Sequence, residues 1–132
     1  MQFDLVSPER KLASLEVTEV HLPGAEGDFT AMADHAPVLT TLRPGVLTTK
    51  AANGSDSYVV SGGFVEVNGD GVSVLAEWSV HIDDATSDHI EQLIADAEAA
   101  TEGRSGAELD AAQLRVHHTK QLLAAIGGGV AA

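Results

Sequence analysis

The chain has 132 residues, enough for one compact domain or for a small domain with an appendage. Hydrophobic residues make up 44% and aromatics only 4%, so the core has to be built from Val, Leu, Ile and Ala rather than around an aromatic-lined pocket. Seven basic residues against twenty acidic ones give a formal charge of −13, which argues against binding to nucleic acid or adsorption to anionic lipid and for a partner with basic loops. There is no cysteine, hence no disulfide or thiolate chemistry. Met1 to Val6 has no basic stretch ahead of a long apolar run and does not read as a signal peptide. The apolar run Leu122 to Ile126 is far short of the ~20 residues of a membrane helix.

Short Val-rich runs and turn residues alternate up to about Asp83. Leu12 to Leu22 reads as a strand. Val46 to Lys50 and Ser57 to Val60 read as a pair around Asn53-Gly54. Phe64 to Val67 and Val72 to Leu75 flank Asn68-Gly69-Asp70-Gly71. Asn-Gly and Asp-Gly supply the positive φ that tight hairpins need. Alternation puts Phe64 and Glu66 on one face, with Val65 and Val67 on the other. Gly62-Gly63 marks a bulge or a close backbone approach. Strands and turns at this spacing predict a sandwich or barrel, of which an antiparallel β-sandwich is the expected form.

After Asp83 the spacing becomes helical. Thr86 or Ser87 can cap a helix with an apolar stripe of Ile90, Leu93, Ile94 and Ala97. Gly103 stops it, and Ser105-Gly106-Ala107-Glu108 matches a capping box. Leu109, Ala112, Val116 and Leu123 share a face of a second helix, which Gly127-Gly128-Gly129 would end. The predicted fold is therefore β + α: a sandwich over residues 1–84 and a C-terminal helical hairpin over 85–132. Each buried large side chain of the hairpin contributes about 1.5–3 kcal/mol. Ordering its residues costs about 1–2 kcal/mol each in backbone entropy. Alone the hairpin is marginal and needs a surface to dock on.

No phosphate-binding Gly-x-x-x-x-Gly-Lys loop and no Gly-x-Ser-x-Gly elbow occurs. His117 and His118 are adjacent, so on a helix they point about 100° apart and chelate poorly. His21, His35 and His81 are scattered along the chain. The reading assigns no catalytic residue, no metal and no cofactor.

Three stretches carry a resemblance. They are Ser7-Pro8-Glu9-Arg10; Pro23 to Phe29 (PGAEGDF) followed by His35-Ala36-Pro37-Val38-Leu39-Thr40 and Pro44-Gly45; and Ser61 to Val67 (SGGFVEV) followed by Val74-Leu75-Ala76-Glu77. In order and spacing the chain resembles the epsilon subunits of bacterial F-type ATP synthases, and the two-helix tail completes the pattern. The resemblance implies a non-catalytic part of the rotating central stalk at the cytoplasmic face of the bacterial inner membrane, held there through the complex without membrane insertion. It implies that Glu26, Gly27, Asp28 and Phe29 meet the c-ring of the membrane sector. It also implies that His35, Ala36, Pro37, Val38, Leu39, Thr40 and Leu42 lie beside the gamma subunit. From the residues alone, Pro23 to Gly27 is a tight acidic turn, and His35 is a histidine that can hold a turn through one ring nitrogen.

The C-terminal helices of the family dock compactly or extend along gamma, where they brake hydrolysis; alpha and beta subunits become partners through them. Some members bind ATP through an Ile/Leu-Asp-x-x-Arg-Ala motif. The matching run here is Ile82-Asp83-Asp84-Ala85-Thr86-Ser87, with Thr86 where the arginine should stand. The planar cationic fork for phosphate is missing, and weak or no ATP binding is expected. From Ser87 onward three basic residues face seven acidic ones, so the tail is expected to brake poorly against acidic beta subunits. The rival readings are a stand-alone sandwich that binds a peptide or protein, a small metal enzyme of cupin-like architecture, and a nucleotide-sensing regulator.

Overall fold

A computed structural model describes residues 1–126 of the chain. It divides into two compact units, Met1–Ile82 and Asp83–Ala132. The first holds ten strands: β1 (Gln2–Ser7), β2 (Arg10–Glu16), β3 (Glu19–Gly24), β4 (Gly27–Met32), β5 (Val38–Leu42), β6 (Gly45–Ala51), β7 (Gly54–Val60), β8 (Gly63–Asn68), β9 (Gly71–Ala76) and β10 (Ser79–His81). The second holds α1 (Ser87–Ala99) and α2 (Gly106–Ile126), after a short 3-10 turn at Ile82–Asp84.

The strand order is β10-β7-β6-β3-β5-β8-β9-β1-β2, with β4 on the free side of β3. Five strands, β4-β3-β6-β7-β10, make one layer, and β5-β8-β9-β1-β2 make the other. A single residue pair, Gly24 with Leu42, joins the two through β3 and β5. All pairings are antiparallel except β1 with β9, which brings residues 2–6 beside 71–75 in parallel.

The sandwich follows from side-chain alternation. Val65 and Val67 of β8, Val72 and Val74 of β9, and Phe3 and Leu5 of β1 are all buried in one cluster with Val20, Leu22, Leu47 and Val60 of the facing layer. Phe64 and Glu66 point outward, as the alternation predicts. The two Asn-Gly hairpins close where expected, Ala51 against Gly54 and Asn68 against Gly71. In the second hairpin the Asn68 Oδ1 accepts from the Asp70 and Gly71 N–H groups, at 2.8 and 3.3 Å.

The run Leu12 to Leu22 is two strands, not one. The chain breaks at Val17-Thr18, where Val17 N–H donates to the Met1 carbonyl (2.9 Å) and Thr18 N–H to the Lys50 carbonyl (2.7 Å). Those bonds lead β2 into one layer and β3 into the other. In the helical unit the cap is Thr86, whose hydroxyl accepts from the His89 N–H at 3.2 Å. Ile90 and Ala97 are buried, and Leu93 and Ile94 half-buried, so the stripe read from the sequence is the inward face of α1. On α2 the buried residues are Thr119, Leu122 and Ile126. The expected stop at Gly127–Gly129 lies outside the described residues. Among the described residues no helix is long and apolar enough to cross a membrane.

Candidate functional site

The β3–β4 hairpin turns in two residues, Ala25-Glu26, between the paired glycines Gly24 and Gly27. Gly24 is required by closeness: a Cβ there would come within 2.7 Å of the Gly27 carbonyl oxygen and 3.0 Å of the Phe29 ring. The acidic turn is therefore shorter than the sequence suggests. Glu26 is in the turn, while Gly27, Asp28 and Phe29 begin β4. Phe29 is half-buried and packs against the core, with its ring 6.0 Å from that of His35. Its apolar surface is thus largely spent inside the sandwich.

His35 holds the link between β4 and β5. Its N–H donates to the Met32 carbonyl (2.9 Å), and its Nδ1 lies 2.6 Å from the Ala36 carbonyl oxygen. Ala36 and Pro37 are exposed, and Val38 and Thr40 half-buried. Leu39 is 75% exposed, while Leu42 is 5% exposed and belongs to the core. The side chain of Leu42 therefore belongs to the core and anchors β5. Between the turn and β5 runs an open groove of about 460 Å³, lined among others by Glu26, Asp28, Phe29, His35 and Leu39. The two stretches singled out in the sequence thus share one concave surface.

Arg43, which follows β5, reaches across to the turn. Its guanidinium donates to the Gly24 carbonyl through one nitrogen and to the Asp28 carboxylate through another. Asp28 is therefore half of an ion pair, and no ion pair of Glu26 occurs among the described residues.

A second surface covers the outer face of the β5-β8-β9-β1-β2 layer. The register sets Thr41, Phe64, Leu75, Val6 and Lys11 side by side across the five strands. The next row is Leu39, Glu66, Ser73, Asp4 and Ser14. Phe64 is 56% exposed, Leu75 60% and Leu39 75%, an apolar group on an otherwise acidic protein. At the far end the Ser14 hydroxyl donates to Asp4 at 2.6 Å. That bond, helped by Gln2 and Lys11, holds the Asp4 carboxyl below its usual range against a partial desolvation. The matching row of the other layer, Thr30, His21, Thr48 and Ser57, is polar and bonded internally, Thr30 to His21 and Thr48 to Ser57, both at 2.9 Å.

Among the described residues no three His, Asp or Glu side chains converge as a metal site would require. Both surfaces suit protein contact. Residues 1–82 match the family described as ATP synthase, Delta/Epsilon chain, beta-sandwich domain. The chain is 50% identical over 127 residues to the ATP synthase epsilon chain of Fuscovulum blasticum, covering 96% of each chain.

This chain belongs to the ATP synthase epsilon family.

The epsilon chain of Jannaschia sp. (strain CCS1) is 52% identical over 112 residues, 85% of each chain. The fold is shared with a chain of the Euglena gracilis mitochondrial ATP synthase (TM-score 0.69, 24% identity, 94% of this chain and 79% of that one). It is also shared with a chain from the central stalk and c-ring of the Tetrahymena thermophila enzyme (TM-score 0.67, 17% identity, 94% and 93%). As an epsilon chain the protein is a subunit of ATP synthase and not its catalytic subunit. The family reading therefore stands over the stand-alone module.

Two features of this epsilon chain escape a reading by motif. One is the outward Phe64–Leu75 pair, whose signal is one large apolar residue on the outward side of each strand, Phe64 beside Glu66 on β8 and Leu75 beside Ser73 on β9, where a solvated face calls for polar ones. The other is Arg43, whose partners lie 15 and 19 positions away. At the degenerate nucleotide motif, Ile82, Asp83 and Asp84 form the 3-10 turn, and Thr86 serves as the cap of α1.

Proposed function

We propose that the sandwich clamps the gamma subunit to the c-ring at the cytoplasmic face of the bacterial inner membrane, passing ring rotation to the catalytic head. The outward apolar group carries this reading. Leu39, Phe64 and Leu75 stand exposed on a protein of charge −13, and burying each against gamma contributes about 1.5–3 kcal/mol. His35 to Thr40 border the same layer and extend that contact, with Leu42 supporting it from within. The turn at Glu26 offers its carboxylate to basic groups of the ring, an attraction that sets orientation more than strength. Gly27, Asp28 and Phe29 shape that turn.

Tagged chain purified from its own membranes tests the reading. The wild-type protein is expected to bring gamma, alpha and beta subunits with it. Leu39→Glu combined with Phe64→Glu is expected to lose gamma at least about tenfold, since 1.4 kcal/mol is already a factor of ten. A double variant that still folds and holds gamma as well as wild type does removes the proposal.

A further inference from the structure

We propose that Arg43 is a positioning residue that fixes the acidic turn relative to the β5 side of the sandwich, so that Glu26 meets the ring in one orientation. This rests on the ring-contact reading of the turn. Four bonds converge at the place where the two layers meet. The Ala25 N–H donates to the Thr41 carbonyl at 2.9 Å and the Arg43 N–H to the Pro23 carbonyl at 3.0 Å. The Arg43 side chain adds the Gly24 carbonyl and the Asp28 carboxylate. Gly24 with Leu42 is the sole residue pair that links β3 to β5. Packing is tight there as well: a Cβ on Gly45 would come within 2.7 Å of the Pro23 Cβ.

The exposures show the division of labour. The Arg43 side chain is 24% exposed and that of Asp28 78%. The arginine is the seated post, and the carboxylate is the clasp closing on it. An ion pair with one exposed partner adds little to global stability. What a planar fork gripping two acceptors adds is direction, because both arms are satisfied in one geometry only. It also neutralises Asp28, leaving Glu26 as the carboxylate offered by the turn. A ring that drives the sandwich round through this loop loads it sideways, and a two-residue turn without its brace yields before the sheet does.

The test uses the assembled ATP synthase carrying Arg43→Met, Arg43→Lys, Asp28→Asn or Glu26→Lys. Two quantities are read: hydrogen exchange at the amides of residues 24–29, and protons pumped per ATP hydrolysed. Arg43→Met is expected to speed exchange at the turn about tenfold, as loss of a charge-assisted bond does, and to lower pumping per ATP while gamma is retained. Arg43→Lys recovers part of both losses, and Asp28→Asn shows both in weaker form, which decides the matter if Arg43→Met fails to fold. Glu26→Lys lowers pumping with exchange unchanged. If Glu26→Lys lowers pumping but Arg43→Met and Asp28→Asn leave exchange and pumping at wild-type values, the inference is overturned alone. If Glu26→Lys leaves pumping unchanged, the ring-contact reading falls and the inference with it.

Discussion

A Cβ on Gly63 would lie 2.1 Å from the Leu75 carbonyl oxygen, and its φ is +139°. Nothing but glycine fits where β8 passes β9 so closely. Gly63→Ala is expected to cost about 2–4 kcal/mol, strain and overpacking together, read as a lowered urea midpoint with unchanged slope. An unshifted midpoint would show that the strand gives way freely. Asp4 sets a different dependence. Its pKa is lowered on folding by the Ser14 hydroxyl, so its contribution is present above the unfolded value and lost as pH falls through the folded one. Stability of the wild type should therefore drop below about pH 4 more steeply than that of Asp4→Asn, in urea titrations from pH 5 to 2. Parallel curves would contradict this. At this scale the sequence is informative where the constraint is local. Gly62-Gly63 reads as a bulge or close approach because a glycine pair where a strand begins leaves room for neighbouring backbone. Arg43 does not read as a brace, since folding alone brings Gly24 and Asp28 to it. The inward direction of Leu42 is set by the register of β5 against β8, which a motif match does not carry.

Among the elements, the hairpins β6–β7 and β8–β9 are legible because Asn-Gly and Asp-Gly encode the turn itself. Strands β1 and β4 are harder. The β1–β9 pairing is parallel and spans the domain, so no short pattern announces it. The first half of β4, Gly27-Asp28-Phe29, has the composition of a loop and becomes a strand because β3 offers it a complete ladder. The helices follow their periodicity and caps more directly. Thr86, the departure from the nucleotide motif that the resemblance implies, caps α1. Thr86→Ala should cost about 1 kcal/mol and loosen the first turn of α1, seen as faster exchange at His89 and Ile90. Unchanged exchange there would mean that the cap is idle. No saturable heat on titration with ATP is the accompanying expectation.

For the whole molecule, charge is the organising quantity. Twenty acidic residues against seven basic ones would repel nucleic acid and anionic lipid and favour basic or apolar protein surfaces as partners. The tail shares this bias, with three basic residues against seven acidic ones from Ser87 onward. Extended toward an acidic catalytic subunit it would be repelled, so deleting residues 87–132 should leave ATP hydrolysis by the assembled enzyme nearly unchanged. A large rise would make the tail a strong brake. In the proposed reading the sandwich carries the coupling, through one apolar face and one braced turn. The most direct measurement is ATP synthesis driven by an imposed proton gradient, in membrane vesicles stripped of this subunit and then resupplied with it. The wild-type chain should restore synthesis, and the Leu39→Glu, Phe64→Glu chain should not. Full synthesis with that folded double variant, or undiminished synthesis in the stripped vesicles, would contradict the account.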